Sequence, residues 1–348
     1  MAARRGCNGS GPGTASRRSG FVPDTPDVRT SGPTRFSSTY WRGVALVSTA
    51  GIIWGTTGPL VQLTVTHSAL SPVAISAYRA VAAATVLDVM LWLTGRLRSS
   101  IDSTRRHRGR LAAVGVLIGA SQLLFFMSVE WAGVSLSTVI CMGFAPTLLL
   151  VVTSVRRRRR PSRTQVLTVA MAVAGLLLIT IIGGGREHAE NPAWGVLAAL
   201  GAGGCFAFTA DVGSSLSQRL DAVTITTGIM NMATVVLVPC MVVVGLLGHP
   251  LLTAGAGAWL LVGLLAVGVV ATNSLMFAGL RLTSSSAAVV ATLIEPVTAV
   301  LIAAAFLGEH LTTAGVVGCV LIIAAIGSLG RFEDDGGDLD PHLTPTPL

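Results

Sequence analysis

Ten long apolar stretches, separated by short polar or arginine-containing connections, follow one another along the chain. Each is about 20 residues long, the length that an α-helix needs to cross the roughly 30 Å hydrocarbon core of a bilayer. We therefore predict ten transmembrane helices, and the short connections make successive helices antiparallel neighbours. The predicted spans are residues 43–64, 71–94, 110–129, 134–155, 164–183, 194–216, 222–246, 257–279, 285–307 and 312–330.

The composition supports an all-α integral membrane protein. Hydrophobic residues make up 51% of the chain and charged residues 11%, and the mean hydropathy is +0.72. A soluble domain has about 25% charged residues. The five cysteines form no CxxC or Cys/His spacing, so we predict no metal site and no cofactor.

The two ends of the chain differ from its apolar centre. Residues 1–40 are rich in Gly, Ser, Thr, Pro and Arg, so we predict a disordered cytoplasmic tail there. Residues 331–348 contain a short acidic run, which we interpret as a second cytoplasmic tail.

All 24 basic residues are arginines, and the net charge is +8. Such a chain could bind nucleic acid, but 22 of the arginines fall on one side of the predicted helices. Of the remaining two, Arg186 lies in an opposite connection and Arg79 lies within a span. The positive-inside rule then predicts a multi-pass plasma-membrane protein with both termini in the cytoplasm. We predict no nucleic-acid partner.

The chain contains an internal repeat. Pro146 and Pro296 lie in the middle of apolar stretches and are 150 residues apart. The same offset places each of the first five stretches on its counterpart among the second five. Because five is odd, the second unit must enter the membrane from the other side. We predict two inverted five-helix repeats, residues 43–183 and 194–330, an arrangement typical of secondary transporters with a substrate site near the midplane.

Several motifs follow this pattern. Residues 282–297 read LTSSSAAVVATLIEPV, Gly308-Glu309 and Gly318 come after them, and Trp54-Gly55, Pro72 and Arg79 lie in the first two stretches. On these residues the chain resembles the EamA-type carriers of the drug/metabolite transporter superfamily. The resemblance covers about 43–330. It implies ten helices in two repeats and transport of an amino acid, another metabolite or a drug without ATP.

Glu295 and Pro296 are the most informative pair in this pattern. Glu295 lies about eleven residues into the ninth predicted helix, roughly 16 Å along it at 1.5 Å per residue. A carboxylate at this depth either binds and releases a proton during transport or hydrogen-bonds a neighbouring helix as a structural group. Pro296 removes one backbone hydrogen bond, which predicts either a kink beside the pathway or merely a tolerated membrane proline.

Other polar and aromatic residues also lie within the predicted spans. Arg79 could snorkel outward, pair with a carboxylate such as Glu295, or bind an anionic substrate group. Trp54 and Tyr78 could pack or stack on a substrate, and the uncharged polar residues could join helices or contact a ligand. The candidate substrate and proton pathway comprises Glu295, Pro296, Arg79, Trp54, Tyr78, Gln122, Asn231, Asn273 and Thr292.

These features favour a secondary transporter of a small organic solute, working by alternating access as an exporter coupled to the proton gradient. An uncoupled facilitator or an exchanger remains open, as do a channel and a permease subunit that needs a partner ATPase. The chain has no GxxxxGK[ST] loop and no HExxH motif, and we predict that it is not an enzyme. Its expected partners are the bilayer and a small-molecule substrate, and its oligomeric state is open between monomer and homodimer.

Overall fold

The computed structural model describes residues 38–68, 70–183, 191–252, 255–306 and 312–334. Both predicted tails lie almost entirely outside these residues, and so does Glu309. The described residues form helices joined by short connections, and none of them forms a strand. In order, the helices are α1 (Ser38–Ser68), α2 (Pro72–Leu93), α3 (Leu97–Arg106), α4 (Arg108–Ala132), α5 (Val134–Arg157), α6 (Arg163–Gly183), α7 (Pro192–Ser217), α8 (Ala222–Leu246), α9 (Ala256–Leu280), α10 (Ser285–Thr292), α11 (Ile294–Phe306), α12 (Thr313–Gly327) and α13 (Leu329–Asp334).

Ten segments of the described residues are long and apolar enough to cross a membrane. They coincide with the ten predicted spans, which confirms the prediction of an all-α membrane protein. Large apolar side chains such as Leu197, Val267 and Val320 point outward and are more than half exposed. This exposure would be costly in water and is expected where a helix faces lipid.

The structure departs from the predicted elements at two places. Residues 97–106, predicted as a connection, form the short helix α3, whose Ser100 is buried while Arg105 and Arg106 are exposed. The ninth predicted span is interrupted, because α10 ends at Thr292 and α11 begins at Ile294. The hydropathy of both segments is compatible with the prediction, but hydropathy reports neither a surface helix nor a break in a membrane helix.

Helices α6 and α12 pack closely and run antiparallel. Gly175 of α6 lies against Gly318 and Ile322 of α12. Further along, the hydroxyls of Thr168 and Ser328 are 2.8 Å apart. The residue numbers of the contacting positions therefore rise along α6 as they fall along α12, which means that the two helices run in opposite directions. Because the two glycines have no side chains, the two backbones approach more closely than larger residues would permit.

Two other helix pairs are also antiparallel. Between α4 and α7, Ser121 donates a hydrogen bond to the carbonyl of Ala202 (3.0 Å) and Ser128 to that of Gly195 (2.8 Å). Between α2 and α8, Asn231 donates to the carboxylate of Asp88 at 3.3 Å, and Arg96 just after α2 pairs with Asp221 just before α8. A shift of 150 residues converts the α4–α7 pair into the α9–α1 pair, and these are the two most extensive helix contacts. The same shift places α2 on α8 and α6 on α12, so each of these two pairs consists of corresponding helices.

One end of the bundle, which we name the arginine-rich face, holds Arg96, Arg156 and Arg281. Arg96 pairs with Asp221 at 3.3 Å, beside the start of α8, and Arg156 of α5 pairs with Asp211 of α7 at 2.6 Å. These are the ion pairs found within the described residues. Both join different helices at this face, so they hold helix ends together where water can reach them.

Replacing Gly318 with Val should separate α6 from α12. A Cβ at this position would lie 2.6 Å from the carbonyl oxygen of Gly175 and 2.8 Å from Ile179. Overpacking of this kind costs about 1–3 kcal/mol, so the melting temperature of the purified protein should fall. Gly327→Val is the matched control, because a Cβ there meets no atom within 4 Å. Equal melting temperatures for the two variants would contradict the packing described.

Candidate functional site

The interruption of the ninth span is set by its sequence. Ser284 begins α10 by accepting a hydrogen bond from the amide of Ala287 at 3.3 Å. Pro296 lies in the first turn of α11, has no amide hydrogen, and its ring crowds the carbonyl four residues earlier, that of Thr292. The helix breaks at Leu293, between that carbonyl and the proline. The helix is thus interrupted beside Pro296, and the choice between a kink beside the pathway and a merely tolerated membrane proline stays a prediction.

Helix α1 packs directly on this break through two glycines. A Cβ at Gly51 would lie 3.0 Å from the carbonyl oxygen of Thr292, and one at Gly55 would lie 2.7 Å from that of Glu295. Any larger residue would displace α1 from the break. The two glycines therefore allow the backbones to touch where α10 gives way to α11.

Glu295 lies where four parts of the bundle meet. Trp54 of α1 packs edge to face against Phe206 of α7, with ring centroids 6.1 Å apart. The thiol of Cys141 on α5 is close enough to interact electrostatically with Glu295 and with Cys205 of α7. Glu295 therefore lies in a region where α1 packs on its backbone and Cys141 of α5 is near its carboxylate.

Within the described residues, no hydrogen bond or ion pair engages the half-buried carboxylate of Glu295. A carboxylate inside a membrane protein normally has a partner or lines a path for substrate or ions. This arrangement leaves Glu295 able to bind a proton or a cationic group.

Arg79 contacts a neutral partner rather than Glu295. Its Nη2 donates a hydrogen bond of 2.6 Å to Oε1 of Gln122, which joins α2 to α4. Of the three roles considered for Arg79, pairing with Glu295 is therefore absent from this arrangement. The guanidinium has further donors, which an anionic group could still use.

The other predicted site residues are engaged by the protein itself. Tyr78 donates to the carbonyl of Leu251 at 2.6 Å and packs against Trp259. The amide of Asn231 joins α8 to Asp88 of α2. Asn273 and Thr292 bond carbonyls of their own helices, at 2.9 Å and 2.7 Å. The structure therefore brings Trp54, Glu295, Pro296 and Thr292 together and leaves Tyr78, Asn231 and Asn273 in interhelical or intrahelical contacts.

Sequence reasoning missed several residues of the region around Glu295. Phe206, Cys141 and Cys205 lie in apolar stretches and carry no polar signal of their own. Gly51 and Gly55 could have been found, because their spacing is the GxxxG pattern that marks close contact between membrane helices.

Comparison with known proteins agrees with this fold. Two segments of the chain, residues 41–181 and 193–330, match the EamA-like transporter family. A relative from Bacillus subtilis (strain 168), named "Uncharacterized transporter YwfM", is 28% identical over 277 residues, which are 80% of this chain and 90% of the relative. "Uncharacterized inner membrane transporter YicL" from Salmonella typhimurium is 23% identical over 290 residues, 82% of this chain and 94% of that protein.

A solved structure described as "Crystal structure of protein" has a similar fold. Its TM-score is 0.68 at 17% sequence identity, and the match covers 83% of this chain and 98% of the other. At this identity, the similarity concerns the fold alone.

Replacing Pro296 with Ala should close the break in the ninth span. The new amide can donate to the carbonyl of Thr292, and a net hydrogen bond of about 0.5–1.5 kcal/mol should slow local amide exchange roughly two- to tenfold. Hydrogen–deuterium exchange of the peptide that contains Leu293–Val297 measures the change. Pro146→Ala is the control, because α5 already runs unbroken through Pro146. Exchange that stays unchanged, or becomes faster, would contradict this explanation of the break.

Proposed function

This chain belongs to the EamA-like transporter family, and from that premise we propose that it exports a small organic solute across the plasma membrane in exchange for protons. Its family and its ten apolar spans identify it as a multi-pass membrane transporter. Its substrate, coupling and direction are our proposals.

Glu295 carries the proposal. It lies at a helix break in the middle of a span, and the described residues give its carboxylate no partner. A group that alternates between binding a proton and binding a substrate couples their movements, because the two cannot occupy it together. The proton gradient across a plasma membrane is directed inward, so such competition drives the solute outward.

Alternating access requires two units that can rock against each other. We propose that residues 43–183 and 194–330 are inverted repeats. The match of the family to each half supports this, as do helix bounds related by 150 residues. An inverted repeat also requires corresponding helices that touch each other to run antiparallel, and the α2–α8 and α6–α12 pairs do so. The site around Glu295 then lies between the two halves.

We propose that the arginine-rich face is cytoplasmic and that both termini lie on that side. The support is the bias of arginines toward one side of the spans, which the positive-inside rule relates to the cytoplasm. The name of the Salmonella relative as an inner membrane transporter supports a plasma-membrane location.

Glu295→Gln should abolish proton-coupled transport. A thermal-shift screen of amino acids, nucleosides, sugars and drugs first identifies a stabilising solute. The purified protein is then reconstituted into vesicles, and movement of that solute is followed under an imposed pH gradient. We expect Glu295→Gln to reduce coupled transport to background, because an amide cannot exchange a proton at this position. Glu130→Gln is the control, since Glu130 is exposed at the end of α4.

Two results would contradict this proposal. Transport by Glu295→Gln at the rate of the unaltered protein would remove Glu295 from coupling and favour an uncoupled facilitator or an exchanger. Absence of transport for every solute that stabilises the protein would count against a carrier.

The proposed topology can be tested in intact cells with a maleimide that does not cross membranes. Cys7 and a Thr344→Cys variant should react only after the cells are permeabilised, because both positions are expected in the cytoplasm. Glu130→Cys should react in intact cells, since Glu130 lies at the end of α4 opposite the arginine-rich face. Mass spectrometry of the labelled peptides identifies each site. Labelling of either terminus in intact cells would overturn the assignment.

A further inference from the structure

Arg79 is a charged residue inside a span to which the proposed coupling at Glu295 gives no role. It lies in the membrane-spanning helix α2 and is partly exposed there. Within the described residues no carboxylate pairs with it, and its hydrogen bond goes from Nη2 to Oε1 of Gln122 at 2.6 Å. A charged side chain within a membrane span normally has a charged partner or lies on a path for substrate or ions. Gln122 is neutral, so the guanidinium of Arg79 lacks a counter-charge.

The bond to Arg79 fixes how Gln122 presents its amide group. An arginine side chain has N–H donors and no acceptor, so the oxygen of the Gln122 amide must face it. The N–H groups of that amide then point elsewhere, and the described residues provide no acceptor for them. The guanidinium also keeps the donors that Gln122 does not use. The pair thus offers several N–H groups beside one positive charge, and the complementary group is an anion with more than one acceptor oxygen, such as a carboxylate.

This pair lies at nearly the same depth in the bundle as Glu295. Beside Gln122 on α4, Ser121 donates a hydrogen bond to the carbonyl of Ala202 on α7. Phe206 lies one helical turn further along α7, toward the arginine-rich face, and packs against α1 where that helix contacts the backbone of Glu295. One turn separates the two levels by roughly 5–6 Å along the helix. A solute that moves outward past Glu295 therefore reaches the depth of this pair next.

We infer that Arg79 and Gln122 bind the acidic group of the transported solute, so that the solute is an organic acid with a carboxylate. Arg79 supplies the positive charge and the remaining N–H groups of its guanidinium, and Gln122 supplies the N–H groups of its amide. The inference rests on the proposed transport function, to which it adds the chemical class of the solute. A solute without an acidic group leaves the charge of Arg79 uncompensated inside the membrane and should bind weakly.

Matched pairs of solutes test this selectivity on the purified full-length protein. Each pair consists of a carboxylic acid and its primary amide, namely nicotinate with nicotinamide, benzoate with benzamide, and L-phenylalanine with L-phenylalaninamide. Thermal shift and calorimetry measure binding at neutral pH, where the acids are ionised. We expect at least one acid to bind roughly tenfold or more tightly than its amide, the effect of a hydrogen bond to a charged group.

Substitutions at Arg79 separate binding of the acid from a role in joining α2 to α4. Arg79→Gln retains an amide that can bond Gln122 but removes the charge, so it should bind the acid about as weakly as the amide. Arg79→Lys should keep part of the preference, because it has the charge without the planar fork of donors. Arg106→Gln is the control, since Arg106 is exposed on α3. If Arg79 only joined the two helices, its loss would weaken binding of the acid and of the amide alike.

A second experiment does not depend on which solute is transported. Gln122→Cys places a thiol beside Arg79, and this thiol is treated with two methanethiosulfonates of similar size, one with a sulfonate and one with a trimethylammonium group. The ratio of the two rates reports the local charge, because the accessibility and ionisation of the thiol affect both reagents. We expect the ratio of anionic to cationic reaction to fall roughly tenfold or more when Arg79→Gln is added, and to stay unchanged when Arg106→Gln is added. Mass spectrometry of the peptide that contains residue 122 separates this thiol from the native cysteines.

Several results would overturn the inference. They are the absence of any acid that binds more tightly than its amide, an acid preference that survives in Arg79→Gln, and a reagent ratio that does not respond to Arg79→Gln. Failure of both reagents to reach residue 122 would show that the pair is closed to solutes, with the same consequence. Glu295→Gln should keep the preference for the acid while it loses coupled transport, so failure of the proton-coupling proposal is distinguishable from failure of this one.

Discussion

Backbone contact between α1 and the broken ninth span is the interaction on which the rest of this arrangement depends. A helix break inside a membrane exposes a carbonyl that lipid cannot satisfy, so such a break is tolerated only where it is buried in protein or lines a cavity. Gly51 and Gly55 bring α1 within contact of the carbonyls of Thr292 and Glu295. The same approach carries Trp54 toward Phe206. Close packing thus covers the break and defines the neighbours of Glu295 at the same time.

The two halves of the chain share a framework but differ in what they place within it. Pro146 and Pro296 correspond by the 150-residue offset, yet α5 continues through the first and the ninth span breaks at the second. A proline does not by itself decide between a continuous helix and a break, since neighbouring helices can satisfy the freed groups in either arrangement. Tyr78 and Gly228 also correspond by this offset, and only Tyr78 has a side chain, which donates a hydrogen bond to the carbonyl of Leu251. The two halves therefore differ in the side chains and in the helix continuity at positions related by this offset.

Hydropathy and the repeat were sufficient to predict the ten spans, because in lipid the length and apolarity of a segment almost dictate a helix. They also directed attention to Glu295, since an ionisable residue inside a span is rare. The partner of Arg79 could not be predicted, because it depends on which face of α4 presents Gln122 to α2. Phe206 and Cys141 could not be predicted as site residues for a related reason. In an apolar sequence, only the packing of the helices distinguishes a residue that lines the site from one that faces lipid. Helix α3 was missed because ten residues with few apolar positions resemble a connection.

Helices α5 and α7 connect the surroundings of Glu295 to the arginine-rich face. Halfway along, they bring Cys141 and Phe206 to the site, and nearer their ends the ion pair between Arg156 and Asp211 joins them at 2.6 Å. Asp211 is largely covered, with 17% of its side chain exposed, whereas Arg156 is 58% exposed. A pair this accessible to water contributes about 0–1 kcal/mol, so it can hold the two helices in register and still break within a transport cycle.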